Sequence, residues 1–154
     1  MATDAPETPW HAAFHAPTSS LANGTLVALS VDELRDQLSS ASASTTSTED
    51  TSVLVVDVRR TDFETGFIRG AVNLPAHSFY PTLPGLVPIL SRYRTVVFHC
   101  QSSSGRGPRC AGWYQDALDR AGISREQSKA AVLTGGIKAW LAKHGDDDEL
   151  TTKL

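Results

Sequence analysis

The sequence is poor in the features that mark secreted, membrane-bound and nucleic-acid-binding proteins. It has only 2 cysteines in 154 residues, too few for a disulfide framework. No apolar run approaches the length of a membrane span. Residues 1–20 contain neither arginine nor lysine, so we expect neither a secretory signal nor a mitochondrial presequence. The net charge of −3 provides no basic excess for binding nucleic acid or an anionic membrane. We therefore expect a cytoplasmic protein, and a nuclear location is the alternative.

The length and composition of the chain fit one α/β domain, which we place at residues 21–145. Hydrophobic residues make up 40% of the sequence and charged residues 20%, which is ordinary for a chain that buries a core. Short runs rich in β-branched residues alternate with stretches of helical spacing, and this alternation predicts a mostly parallel sheet. The expected strands are 25–29, 53–57, a very short one near Val72, 95–99 and 130–133.

Helices are expected between these strands. Ser30 and Glu33 form a capping box that begins the first one. Residues 109–121 have apolar side chains at helical spacing, and the glycine pair at 135–136 turns into a last helix. Residues 81–90 are expected to form a loop with a short helix, because their prolines limit any longer one.

Two tails outside this domain and one loop within it are expected to pack little. Residues 1–20 show no clear periodicity and are interpreted as a flexible tail, part of which Trp10 or Phe14 could pack. Residues 39–52 are polar and of low complexity, which predicts a flexible loop. Residues 146–154 are interpreted as an acidic tail.

The loop after the fourth expected strand has the composition of an oxyanion site. Cys100 follows the strand, and five residues separate it from Arg106 near a helix start. Backbone N–H groups in such a loop, together with the helix dipole, stabilise an anion and a cysteine thiolate. The Arg106 guanidinium is a planar fork suited to two oxygens of a tetrahedral anion. We predict Cys100 as the nucleophile and Arg106 as the clamp. The predicted substrate-binding residues are Gln101, Ser102, Ser103, Ser104, Gly105 and Arg106.

The chain contains separated motifs at Val55–Arg59, Asp62–Phe63, Gly66–Pro75 and Leu133–Trp140. These motifs resemble those of the rhodanese domain. That resemblance covers roughly residues 25–145 and implies a five-stranded, mostly parallel sheet with helices on both faces. Rhodanese sulfurtransferases usually have four residues between the cysteine and the final arginine of the loop. The longer loop found here, followed by Gly-Pro, resembles that of the cell-division-cycle dual-specificity phosphatases and the related eukaryotic arsenate reductases.

The resemblance implies an enzyme whose Cys100 thiolate attacks phosphorus or arsenic in a tetrahedral oxyanion. Its substrate would be arsenate, a tyrosine or other aryl phosphate monoester, or both. Arsenate reduction would take electrons from glutathione or glutaredoxin, and neither reaction requires a bound cofactor. Gly105 stands where the cell-cycle phosphatases have an acidic residue, which removes one proton donor for an alkoxide leaving group. We therefore expect any phosphatase activity to favour aryl over alkyl esters.

Two alternative functions remain. A thiosulfate-type sulfurtransferase would carry a persulfide on Cys100, and the five-residue spacing argues against it. A non-catalytic rhodanese-like binding module would not need the intact pair of Cys100 and Arg106.

Asp57 and His99 are predicted to support the loop. Asp57 ends a strand beside it and is either a proton carrier or a holder of its hydrogen bonds; the family resemblance favours the structural role. Strand alternation turns His99 away from Cys100, where its ring braces the loop from behind or is simply a satisfied core histidine.

Other polar residues have open roles. Arg59 is either an attractor of anions or a partner in a surface ion pair. Asp62 and Glu64 are candidate general acids, although nothing in the sequence shows that they face the loop. Cys110 is more simply a small core residue than a resolving thiol. No metal is predicted, because no metal-ligand spacing links His11, His15, His77 and His144.

Overall fold

The computed structural model describes residues 9–43 and 52–154. The strands in this part of the chain are β1 (Val27–Leu29), β2 (Val53–Asp57), β3 (Gly66–Ile68), β4 (Val72–Asn73), β5 (Thr95–His99), β6 (Lys129–Leu133) and β7 (Thr151–Lys153). The helices are α1 (Val31–Ala43), α2 (Ala76–Leu90), α3 (Arg106–Arg120) and α4 (Gly136–His144). None of these helices is long and apolar enough to cross a membrane.

Five parallel strands form the central sheet, in the order β1-β6-β5-β2-β4. Every residue of β5 is buried, as its run of β-branched and aromatic side chains predicts for a central strand. Helices α2 and α3 cover a core on one face that includes Phe79, Phe98 and Tyr114. Helices α1 and α4 cover the other core, which includes Leu34 and Trp140. The predicted rhodanese-like sheet with helices on both faces is confirmed.

The prediction for residues 81–90 was wrong, because they form the larger part of the long helix α2. Pro81, Pro84 and Pro88 all lie inside this helix. Each proline removes one backbone donor, which destabilises a helix interior. In compensation, the helix buries Phe79 and Leu83 against the core beside α3. Tertiary burial therefore overrides the local preference.

The prediction of a flexible tail was wrong for its described part, residues 9–20, which pack against α3. The packing expected of Trp10 or Phe14 is present, because both rings contact Trp113. The indole N–H of Trp113 donates to the carbonyl oxygen of His15 at 2.8 Å. The Asp116 carboxylate accepts two backbone N–H bonds, from Thr18 at 2.7 Å and Ser19 at 2.9 Å. It also accepts the hydroxyl of Thr18 at 2.8 Å. We call residues 9–20 the N-terminal segment. Residues 1–8 lie outside the described residues.

The boundaries of the other two expected flexible segments differ as well. Helix α1 continues to Ala43, so residues 39–43 are helical, and residues 44–51 lie outside the described residues. The expected capping box is present, with reciprocal bonds of 3.1 Å between Ser30 and Glu33.

At the other end of the chain, strand β7 pairs antiparallel with β3, which the sequence analysis missed. Thr151 is buried there and accepts the indole N–H of Trp140 at 2.9 Å. Residues 151–153 are therefore part of the fold rather than of a tail.

Candidate active site

Cys100 follows β5 at the carboxyl edge of the sheet and is only 3% exposed. Helix α3 begins at Arg106, the arginine that the sequence analysis placed at a helix start, so its positive end lies beside the cysteine sulfur. The backbone N–H of Gly107 donates to Cys100 Sγ at 3.3 Å. A Cβ at Gly107 would lie 3.1 Å from the Cα of His99, so this close approach of helix to strand favours glycine. The sulfur thus faces a backbone N–H donor and the positive end of a helix.

The first turn of α4 fixes the backbone of the loop. N–H groups of residues 137 and 138 donate to the carbonyl oxygens of Cys100 at 3.0 Å and Gln101 at 3.1 Å. Gly136 has φ +61°, and a Cβ there would lie 2.6 Å from the carbonyl oxygen of Cys100. Only glycine permits this contact. Because C=O and N–H point in opposite directions across a trans peptide, the N–H groups of the same two peptides point away from α4.

The serines of the loop form a tight bend. Ser102 Oγ and Ser104 Oγ are 2.8 Å apart. Ser103 has the left-handed φ of +56°, and its buried hydroxyl has no hydrogen-bond partner among the described residues. Gly105 is exposed and caps the start of α3. Their predicted contact with substrate stays a prediction.

Arg106, the predicted oxyanion clamp, is engaged by a carboxylate. Its Nη1 donates to Asp62 Oδ1 at 2.8 Å and its Nη2 to Asp62 Oδ2 at 2.6 Å. Hydrogen bonding to Arg106 lowers the pKa of Asp62 to about 2. The same pair raises the pKa of Arg106, with a smaller contribution from the Cys100 thiolate. Asp62 therefore faces the loop but is held ionised, which is the wrong state for a general acid near neutral pH.

Asp57 and Arg59 form a second, buried pair behind the loop. Arg59 is 1% exposed and donates to the Asp57 carboxylate through Nε and Nη2, the latter at 2.7 Å. It also donates to the carbonyl oxygens of Asp62, Glu64 and Gly66. Neither expectation for Arg59 was right, because it is neither an exposed anion attractor nor part of a surface pair. Asp57 has the contacts of a structural residue.

His99 lies behind the loop, as strand alternation predicts. Its Nδ1 is 3.1 Å from the carbonyl oxygen of Cys100. Since a carbonyl only accepts, Nδ1 carries the proton. Its Nε2 lies 3.6 Å from Asp57 Oδ2. Burial lowers the pKa of His99 and outweighs the opposing effect of the Asp57 carboxylate. The ring is thus a neutral brace for the peptide after Cys100.

A cleft of about 320 Å³ opens above the cysteine. The sequence analysis missed one of its walls, which the N-terminal segment supplies through Trp10 and His11. The sequence offered no signal for this contact, because 90 positions separate Trp10 from Cys100. The lining residues are Trp10, His11, Cys100, Ser102, Ser104, Gly105, Arg106 and Arg109.

Comparison with known proteins places this arrangement in a family. The family model described as "Rhodanese-like domain" matches residues 30–143. The chain belongs to the rhodanese-like family. Its relatives include "Arsenate reductase 2.2" of Oryza sativa subsp. japonica, 35% identical over 92 residues that cover 59% of this chain and 71% of the relative. "Dual specificity phosphatase ibp1" of Schizosaccharomyces pombe is 28% identical over 112 residues, covering 64% of this chain and 81% of the relative.

A solved structure agrees with this assignment. Saccharomyces cerevisiae Ygr203w, described as a homolog of single-domain rhodanese and of the Cdc25 phosphatase catalytic domain, superposes with a TM-score of 0.67. It is 26% identical, and the match covers 84% of this chain and 88% of that one. The relatives support a cysteine-based activity of the rhodanese-like type for this chain.

The second cysteine of this rhodanese-like chain lies in a different environment. Cys110 is buried inside α3, and burial strongly raises the pKa of its thiol. It has the surroundings of a core residue, in line with the simpler interpretation. Among the described residues, no three His, Cys, Asp or Glu side chains are grouped so that they could hold a metal ion.

Proposed function

We propose that this rhodanese-like protein is a cysteine-thiolate enzyme that acts on tetrahedral oxyanions, as an arsenate reductase, an aryl phosphatase, or both. The observation that carries the proposal is the engagement of Arg106 by Asp62. A carboxylate is a planar anion with two oxygens, and it takes both outer nitrogens of the guanidinium at the mouth of the cysteine cleft. Two oxygens of arsenate or of a phosphate monoester fit the same fork.

In the phosphatase reaction, Cys100 Sγ forms a bond to phosphorus while the bond from phosphorus to the aryl oxygen breaks. Water then cleaves the phosphocysteine and releases phosphate and the thiolate. The loop N–H groups and Arg106 stabilise the charge on the oxygens that remain on phosphorus. Gly105 supplies no proton and Asp62 is ionised, so leaving groups that depart as stable anions are favoured.

In the arsenate reaction, Cys100 Sγ displaces one oxygen from arsenic as water. The thiolate of glutathione then attacks Cys100 Sγ, and the bond from sulfur to arsenic breaks with its electron pair on arsenic, which is released as arsenite. The two electrons that reduce arsenic from the +5 to the +3 state come from the sulfur atoms of Cys100 and glutathione. These two sulfurs are then joined in a mixed disulfide. Glutaredoxin or another thiol reduces that disulfide and restores Cys100. No bound cofactor takes part.

The decisive experiment is a parallel assay of one purified sample. The substrates are arsenate with glutathione and glutaredoxin, 4-nitrophenyl phosphate, and thiosulfate with cyanide. We expect turnover in one or both of the first two, abolished by Cys100→Ser and retained by Cys110→Ser. Turnover only with thiosulfate would establish the sulfurtransferase instead. Activity retained by Cys100→Ser would overturn the proposed nucleophile, and absence of all three activities would favour the binding module.

A further inference from the structure

The N-terminal segment brings an aromatic side chain to the edge of the reaction cleft. Trp10 is half-buried and lines the cleft together with Cys100 and Arg106. The match to the rhodanese-like family begins only at residue 30, so this wall comes from outside the matched domain.

Trp10 is held in place from several sides. Its ring contacts those of Trp113 edge-on at 5.9 Å, His11 edge-on at 5.2 Å and His77 at 5.0 Å. Phe14, in the same segment, packs on Trp113 and Tyr80 but does not line the cleft. Such packing pre-orients the indole, so little ordering is needed when a ligand binds against it.

The size of the cleft exceeds that of a bare oxyanion. A water molecule needs about 10–15 Å³ of such cleft volume, so a tetrahedral anion of five heavy atoms takes on the order of 50–75 Å³. The cleft holds about 320 Å³, and so leaves room for a further group beside the anion. Two positively charged side chains, those of Arg106 and Arg109, line the cleft and suit a dianion. Trp10 and His11 add flat ring surfaces to the same cleft.

We propose that Trp10 is a specificity-determining residue that packs against the aromatic leaving group of a phosphate monoester while the phosphate lies in the Cys100–Arg106 loop. The inference deepens the proposed function and rests on it. Aromatic pairs prefer offset or edge-to-face contacts, which the exposed part of the indole offers to a phenyl ring. The ring that favours binding also belongs to the leaving group that departs without a strong proton donor. Binding and chemistry therefore select the same substrate class.

The test separates binding from turnover. Phenylphosphonate and methylphosphonate, which cannot be hydrolysed, are titrated calorimetrically into the full chain with Cys100→Ser. We expect the phenyl compound to bind more tightly. Adding Trp10→Ala should weaken phenylphosphonate binding about tenfold and leave methylphosphonate binding within about twofold. Trp10→Leu keeps an apolar side chain against the core and should also lose most of the preference for phenylphosphonate over methylphosphonate. This variant keeps the test valid if Trp10→Ala does not fold.

Phe14→Leu is the matched control, because it alters the same segment without altering the cleft. We expect Cys100→Ser with Phe14→Leu to prefer phenylphosphonate to the same degree as Cys100→Ser alone. An equal loss of both phosphonates in Trp10→Ala, or an equal loss of preference in Phe14→Leu, would overturn the role of Trp10. Either result leaves the proposed function standing. Failure of Cys100→Ser to bind either phosphonate would overturn this inference and the phosphatase activity together, whereas the arsenate assay tests the reductase separately.

Discussion

Two arginine–carboxylate pairs lie within the same site and differ mainly in burial. The side chains of Asp57 and Arg59 are 0% and 1% exposed. The other N–H groups of the Arg59 guanidinium donate to backbone carbonyl oxygens. The side chains of Asp62 and Arg106 are 35% and 23% exposed, and their pairing stands at the mouth of the cleft. A buried pair is costly to break, because the remaining charge has no solvent, whereas an exposed pair exchanges partners readily. We therefore assign the first pair to the scaffold, and we propose that the second pair takes part in substrate binding.

The largest expected effect comes from breaking the buried pair. Arg59→Met leaves the Asp57 carboxylate uncompensated and should lower the free energy of unfolding by about 3–5 kcal/mol. Urea unfolding followed by circular dichroism measures this. Arg35→Met is the matched control, because Arg35 pairs with Asp36 on an exposed helix surface and should cost less than about 1 kcal/mol. Equal effects of the two substitutions would contradict the distinction drawn from burial.

The second prediction separates activity from stability. Arg106→Lys replaces a planar fork with a point charge and should lower kcat/KM about 10²–10³-fold. The free energy of unfolding should change by less than about 1 kcal/mol, because the pair is partly exposed. Arg120→Lys, at the other end of α3, should change neither quantity. If Arg106→Lys turned over within a few-fold of the parent, Arg106 would not be the clamp.

The third prediction concerns competition for the clamp. Asp62→Asn keeps the shape of the side chain but removes the charge that occupies Arg106. We expect phosphate or vanadate to bind up to about fivefold more tightly, which corresponds to an exposed ion pair of at most about 1 kcal/mol. Competitive inhibition of 4-nitrophenyl phosphate turnover measures the change. Weaker binding would mean that Asp62 orients Arg106 for substrate instead of competing with it.

The smallest expected effect is in the pH dependence of stability. The folded-state pKa of Asp62 is about 2, below its ordinary value of 3.8. Its contribution to stability is thus fully present above about pH 4 and is lost as the pH falls towards 2. Solvent screening limits it to less than about 1 kcal/mol. Urea unfolding of the unsubstituted protein and of Asp62→Asn between pH 5 and about pH 2 measures this contribution. The difference between their free energies of unfolding should shrink as the pH falls, and a constant difference would contradict the prediction.

Local patterns predicted the parts of the site that are close in sequence. The run of β-branched residues in β5, the small residues after Cys100 and the arginine six positions later all act within one strand, loop and helix. The central sheet was equally predictable, because each of its five-residue strands is an apolar run between turn residues.

Contacts between distant residues were not predictable in this way. Arg106 and Asp62 are 44 positions apart, and Asp116 holds Thr18 across 98 positions. Neither spacing corresponds to any helical or strand period, so only the fold brings these side chains together. Helix α2 shows the complementary failure, since its prolines carry a strong local signal that burial against α3 overrides.

The contact of Gly136 with the loop has a consequence for the order in which the site is made. The ribosome synthesises Cys100 and Arg106 well before the glycine turn and the first N–H groups of α4, which hold the carbonyl oxygens of Cys100 and Gln101. A nascent chain that stops before residue 136 therefore contains the proposed nucleophile and clamp but lacks the donors that orient the carbonyl groups of Cys100 and Gln101. Reactivity should arise late, when the closing helix emerges and docks, so an incomplete chain carries the thiol without the tuned catalyst.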